Sequence, residues 1–146
     1  MTKISKILVG THNDGKFKEL RYLISNKIKK ISPKNLNIKS PKETGKTYLA
    51  NSKIKANYFY NKTKLVSISD DSGLSVSCLN GKPGIYSARW AKRHGGFYKA
   101  MTFILKKIKK VNKNKKNKNR KAKFICALAI RINARKMISV EGKVEG

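Results

Sequence analysis

Asp70-Asp71-Ser72-Gly73 places two adjacent carboxylates directly after the apolar run Leu65, Val66 and Ile68. They are two of only seven acids in the chain, and neighbouring carboxylates repel unless a cation or hydrogen-bond donors offset their charge. The end of a sheet strand is also where ligands gather in open α/β folds. Mg²⁺ suits such a pair, because it prefers oxygen ligands and keeps waters that a bound phosphate can replace. An Asp-Ser-Gly turn explains the same residues without any chemistry. Thr11-His12-Asn13-Asp14-Gly15-Lys16 is a polar turn between an apolar run, Ile4 to Gly10, and a helical pattern. Backbone N–H groups at a helix start, with the Thr11 hydroxyl, the Asn13 amide and the Lys16 ammonium, suit a polyanion. The glycine spacing is not that of a P-loop, Asn-Asp-Gly is also an ordinary turn, and His12 has no second His or Cys at ligand spacing. In Lys82-Pro83-Gly84-Ile85-Tyr86-Ser87-Ala88-Arg89-Trp90, Arg89 can fork onto a phosphate or carboxylate, while the aromatics read as packing anchors.

The elements that must position these residues follow from periodicity. Ile4 to Gly10 reads as a short buried strand, and Phe17, Leu20, Leu23, Ile24 and Ile28 recur at helical spacing after it. A short strand is predicted near Leu36 to Lys39, then a loop over Pro41 to Gly45. Thr44 or Thr47 caps a second helix reaching about Tyr60, which buries either Tyr48, Ser52 and Phe59 or Leu49, Ala56 and Phe59. Leu65 to Ile68 forms a strand that stops at Asp70, and Leu74, Val76 and Cys78 form another. Lys82 to Arg93 is expected to be a structured loop. Phe97, Met101, Ile104 and Ile108 define a further helix, Lys123 to Ile132 a strand covered on both faces, and Met137 to Val140 a last strand.

Length and charge bound the rest. A chain of 146 residues has room for one domain, 1–146, and one core. No run approaches the roughly 18 apolar residues of a membrane span, and the start has no secretory leader pattern. The expectation is a soluble, cytoplasmic protein with no membrane partner. Cys78 and Cys126 lie in apolar alternating segments and read as reduced core residues, not a disulfide or CxxC metal site. The net charge is +29. Residues 106–123 hold 11 basic side chains and no acid, yet 25 basic against 7 acidic residues remain elsewhere. The excess is therefore spread widely, as compositional drift toward Lys, Asn and Ile would spread it. The run itself reads as a basic, mobile loop, or as a patch for nonspecific nucleic acid, although it has no aromatic for bases to stack on.

Taken in order, these segments resemble the inosine triphosphate pyrophosphatase family. ILVGTHNDGKFKEL is similar to the family's opening strand, T-G-N-x-x-K loop and helix, and ETGKTYLANSKIKA to its E-T-G-x-T-F-x-E-N-A-x-x-K-A segment. DDSGLSVSCLNGKPGIYSARWA is close to D-D-S-G-L-x-V-x-x-L-x-G-x-P-G-I-Y-S-A-R-Y-A, and AKFICALAI with EGKVEG resembles the strands that follow. The resemblance implies an α/β fold, a mixed elongated sheet flanked by helices, and hydrolysis of noncanonical purine nucleoside triphosphates (ITP, dITP, XTP) to monophosphate and pyrophosphate. It implies Mg²⁺ as cofactor and a homodimer. Carried over by position, Thr11, His12, Asn13 and Lys16 hold the triphosphate, His12 standing where the family usually has Gly. Asp71 binds metal and activates water, Asp70 supports it, and Ser72 and Arg89 contact substrate. Two positions depart from the pattern. Ala50 stands where the second helix of the family carries an acid resembling a metal ligand, so weaker metal binding is expected, and Glu43 is read as a solvated carboxylate or a structural part of E-T-G. The family's later G-F-G-Y-D-P-x-F and S-H-R segments do not follow EGKVEG, so the expectation is a fold incomplete at its C-terminus, with binding and turnover impaired. The competing reading is a basic nucleic-acid-binding or inactive remnant of the same fold.

Overall fold

The computed structural model describes residues 3–146. Its strands are β1 (Lys6–Val9), β2 (Lys29–Ile31), β3 (Val66–Val76), β4 (Ala122–Arg131) and β5 (Met137–Glu145), and its helices α1 (Asp14–Leu23), α2 (Tyr48–Thr63), α3 (Ser87–His94) and α4 (Phe97–Asn112). The strands form one sheet in the order β2-β1-β3-β4-β5. β1 pairs in parallel with β2 on one side, Ile7 opposite Lys30, and with β3 on the other, Leu8 opposite Ser67. Ala122 and Gly146 exchange both backbone hydrogen bonds at 2.9 Å, which is the signature of antiparallel neighbours. The sheet is thus mixed and flanked by helices, as expected.

The described residues group into two compact units. The first comprises the chain up to Asp71 with Ala127–Glu141, and the second Ser72–Cys126 with Gly142–Gly146. The chain passes between them within β3, β4 and β5. In the first unit Ile7, Val9, Leu20 and Ile68 are buried together, with Phe17, Ile24 and Ile28 packed against them. This is the amphipathic face of α1 laid on alternate residues of β1 and β3. Phe59 of α2 is fully buried, and a Cβ at Gly10 would collide with its ring and with the Ser69 hydroxyl. Gly10 is therefore the residue that lets α2 close onto the end of β1. In the second unit Val76, Ile104 and Ile108 form the buried cluster, flanked by Leu74, Cys78, Leu79 and Trp90.

Four elements differ from expectation. The strand predicted near Leu36 lies earlier, at Lys29–Ile31, and Pro33–Leu36 is a 3₁₀ turn opened by a Ser32 capping box. β3 continues through Asp70 to Gly73 instead of stopping, because partners for the buried carboxylates let a polar stretch stay in the sheet. The segment read as a loop over Lys82 to Arg93 contains α3, ended by Gly95 at φ 79°, a backbone angle that glycine adopts at no steric cost. Of the basic run expected as a loop over 106–123, Lys106–Asn112 is the end of α4 and Ala122 already begins β4. Thr47, not Thr44, caps α2 by accepting from the Ala50 N–H at 3.1 Å. Tyr48, Ser52 and Phe59 of the first alternative are all buried in α2, and of the second Ala56 is buried with them while Leu49 is half-buried.

Candidate active site

The first unit places its polar residues at a particular point in the sheet. From β1 the chain leaves through α1 to β2 on one side, and α2 then delivers β3 to the other. β1 ends at Val9, opposite Ile68 of β3, at the point where the winding reverses, which is where ligands gather in open α/β sheets. The Thr11–Lys16 turn follows β1, and Asp70 and Asp71 lie in the middle of β3, just past the stretch that pairs with β1.

The turn is held by its own side chains. The Asn13 N–H donates to Thr11 Oγ1 at 3.1 Å, and Asn13 Oδ1 caps α1 by accepting from the Lys16 N–H at 3.0 Å. Thr11 is buried. His12 is tied elsewhere: Nε2 lies 2.8 Å from the Ile38 carbonyl and Nδ1 2.6 Å from Ser40 Oγ. A carbonyl can only accept, so Nε2 carries the proton and, in the neutral ring, Nδ1 accepts from the Ser40 hydroxyl. The ring also approaches Phe59, with centroids 6.3 Å apart. Both nitrogens of His12 are thus engaged within the protein, and the ring ties the turn to the segment at 38–40.

Successive residues of a strand face opposite sides of a sheet, and the two carboxylates obey this. Asp70, on the side of Ile68 and α1, meets Lys16 Nζ at 2.8 Å with its Oδ2, while its buried Oδ1 has no hydrogen-bond partner. Asp71, on the side of Ser69 and α2, accepts from Asn51 Nδ2 at 3.1 Å. Asn51 is itself fixed, since its Oδ1 accepts from the Gly45 N–H at 2.8 Å. A Cβ at Gly45 would crowd that oxygen, so the Glu43-Thr44-Gly45 segment closes on α2 only because residue 45 has no side chain. Glu43 is not a solvated carboxylate: it pairs with Lys55 Nζ at 3.2 Å, and Lys55 is buried along α2.

Burial pushes the Asp71 carboxyl up to about 6, and the Glu43 charge pushes in the same direction. The Asn51 hydrogen bond and the charges of Lys55 and Lys16 pull it back. Burial, then the Asp71 charge, raises the Tyr48 phenol as well, and its buried hydroxyl has no hydrogen-bond partner. A carboxylate on each side of β3 and two lysines therefore lie around the end of β1 and the adjacent middle of β3. The arrangement can hold a polyanion at the turn and take up a proton at Asp71.

The sequence reading named Thr11, Asn13, Lys16, Asp70 and Asp71, all of which lie at this end of the first unit. It missed Asn51 and Lys55, whose helical spacing from Tyr48 and Ser52 put them on the buried face of α2, where polar residues require partners. Ser72 and Arg89 belong to the second unit. Ser72 is the next residue of β3, and Arg89 lies on α3 with its guanidinium 5.0 Å from the Tyr86 ring centroid.

A profile of the Ham1 family matches residues 7–146. The chain belongs to the Ham1 family. It is 36% identical over 142 residues to a dITP/XTP pyrophosphatase of Zymomonas mobilis, covering 97% of this chain and 66% of that protein. The chain thus spans about two thirds of the length of the curated relatives it matches. Among solved structures, a HAM1 protein from Coxiella burnetii superimposes with a TM-score of 0.81 at 27% identity, over 98% of this chain and 72% of that one. A nucleoside-triphosphatase, or dITP/XTP pyrophosphatase, from Mycobacterium abscessus gives 0.77 at 34% identity, over 97% and 73%. The Ham1 assignment agrees with the family resemblance of the sequence and with its α/β fold.

Proposed function

We propose that this chain hydrolyses noncanonical purine nucleoside triphosphates, dITP and XTP among them, to the monophosphate and pyrophosphate. The observation that carries the reading is the buried Asp71 carboxylate, held by Asn51 in the part of β3 just past its pairing with β1, the strand whose end carries the Lys16 turn. Relatives named for dITP and XTP support the substrate class. In the reaction a water oxygen bonds to the α-phosphorus and the bond to the α,β-bridging oxygen breaks, so pyrophosphate leaves with the bridging oxygen. With its carboxyl near 6, Asp71 is mostly ionised at pH 7.5 and accepts the proton of the attacking water. Lys16 neutralises and orients the phosphates at the turn, and such positioning and neutralisation supply most of the catalysis in phosphoryl transfer. Ser72 and Arg89 are proposed substrate contacts. His12 positions the turn through Ile38 and Ser40 in place of touching substrate.

The residues fit Mg²⁺. Among the described residues no three His, Cys, Asp or Glu side chains form a closed metal site, but Mg²⁺ is usually held by one or two carboxylates, with waters and substrate phosphates completing the shell. Asp71 and Glu43 act on each other as like charges, and Asp70 Oδ1 is a buried acceptor with no donor. Asp71 would hold the ion, with Glu43 as the second oxygen donor; Asp70, expected beside Asp71 as a ligand, leaves the opposite face of β3 and is engaged by Lys16. When bound, Mg²⁺ supplies charge neutralisation at the phosphates and acidifies water. The proposed setting is the cytoplasm, where nucleoside triphosphates are made, with a second copy of the chain as partner; no helix among the described residues is long and apolar enough to cross a membrane.

Pyrophosphate release from dITP, XTP and ITP, compared with ATP and GTP in MgCl₂, tests the reading. Wild type is expected to turn over the first three and Asp71→Asn to lose that activity. A wild type as inert as the variant would end the hydrolase reading for this chain.

A further inference from the structure

At the end of α4 the second unit contains a cavity of about 800 Å³, bordered by Leu105, Ile108 and Asn112 and by the cations Lys109, Lys110, Lys113, Lys118 and Arg120. The loop that forms its rim is tied back by Asn112, which is 4% exposed. Asn112 Nδ2 donates to the Asn119 carbonyl at 2.8 Å, and its Oδ1 accepts from the Asn119 N–H at 3.0 Å. This reciprocal pair closes the loop over the helix end and brings Lys118 and Arg120 to the same hollow as Lys109 and Lys113, with Leu105 and Ile108 as its apolar floor among the lining residues.

Five cations around one hollow repel one another, and none of the ion pairs among the described residues involves them. Residues 106–123 contain no acid. The helix explains part of the cluster, because Lys109 and Lys110 sit in its last turn and meet the negative end of its dipole. Lys113 is the C-cap of the helix; Lys118 and Arg120 lie beyond it and have no such partner. An anion with an apolar portion would satisfy both the rim and the floor.

We infer that this cavity binds single-stranded nucleic acid, the phosphates running along Lys113, Lys118 and Arg120 and one unstacked base resting on Leu105 and Ile108, with the Arg120 guanidinium available to stack on it. The volume lies in the range that admits a nucleotide-sized group. A duplex keeps its bases stacked and offers none to the floor, so the strand must be single. The site is separate from the pyrophosphatase residues of the first unit, and its test needs no turnover.

The difficulty in any test is the net charge of +29, which attracts nucleic acid wherever it lies. The experiment therefore compares two variants of equal charge: Lys113→Gln/Lys118→Gln/Arg120→Gln, and Lys3→Gln/Lys18→Gln/Lys27→Gln, all six residues being exposed. The probe is a fluorescein-labelled ten-nucleotide oligo-U, followed by anisotropy between 0.05 and 0.5 M salt, probe and range being design choices of about the size the counterion law requires. Each phosphate contact on a single strand contributes about 0.7 to the slope of log K against log salt, so three lost contacts lower the slope by about 2 and the affinity at 0.1 M by about 100-fold. The pocket variant is expected to show that loss and the control a much smaller one. Circular dichroism of both variants confirms that they fold. Equal losses in the two variants would overturn the site, leaving only diffuse attraction. Displacement of the oligonucleotide by tripolyphosphate at equal phosphate concentration would also overturn it, since the hollow would then be a phosphate site with no use for a base.

Discussion

Asp71→Asn should make the metal-free protein more stable at neutral pH while leaving it unchanged in acid. The folded structure raises the Asp71 carboxyl from 3.8 to about 6, first by burial and then by the Glu43 charge. Between those two values the folded chain holds a proton that the unfolded chain has released, so the carboxyl favours folding at pH 4 and this advantage is lost as the pH rises toward 6. Above 6 the folded state bears the cost of a buried carboxylate, a shift of about two pH units and thus at most about 3 kcal/mol. Asparagine carries no charge, and its oxygen can still accept from Asn51. The stability difference between variant and wild type should therefore be near zero at pH 4 and grow to about 2–3 kcal/mol in favour of the variant at pH 7.5. Urea unfolding in EDTA, followed by circular dichroism at the two pH values and matched ionic strength, measures it. A difference that does not change with pH, or a wild type more stable than the variant at pH 7.5, would refute the electrostatic account of the site. Mg²⁺ should then close the gap, because a ligand at 100 times its dissociation constant stabilises the folded state by about 2.7 kcal/mol.

Other residues give independent readings. Phe59→Ala should cost about 3–5 kcal/mol in chemical denaturation, because the ring is fully buried between the end of β1 and α2 and nothing nearby can refill its volume. Asn51→Leu removes the donor to Asp71 and strands the Gly45 N–H; it should destabilise by about 1–3 kcal/mol and raise the Asp71 carboxyl further, seen by NMR titration of a ¹³C-labelled carboxyl. His12→Ala should release the 38–40 segment, with faster amide exchange at 11–13 and 38–40 and a stability loss of about 1–2 kcal/mol, since two side-chain hydrogen bonds disappear together.

The segments that place the site were readable because each declares itself locally. Asn13 caps α1 through its own side chain, Thr47 caps α2, and the apolar spacing of Phe17, Leu20 and Ile24 marks the face that packs on β1. What misled the reading also has a local cause. Asp70 to Gly73 has the composition of a turn and lies in a continuous strand, since tertiary partners outweigh composition. Three residues at Lys29–Ile31 form a strand only because β1 offers them an edge, and no periodicity over three residues can announce that.

Residue types at fixed short spacings carry the family, the α/β class and the identity of the turn and carboxylate residues, so these are legible in the chain before it folds. How Asp70 and Asp71 divide, one to Lys16 of α1 and the other to Asn51 of α2, follows from the folded arrangement. That arrangement also decided that Glu43 pairs with a buried lysine and that His12 ties two loops together. Those outcomes rest on which face of β3 each side chain leaves from and on which helix covers that face, and both are properties of chain segments tens of residues apart.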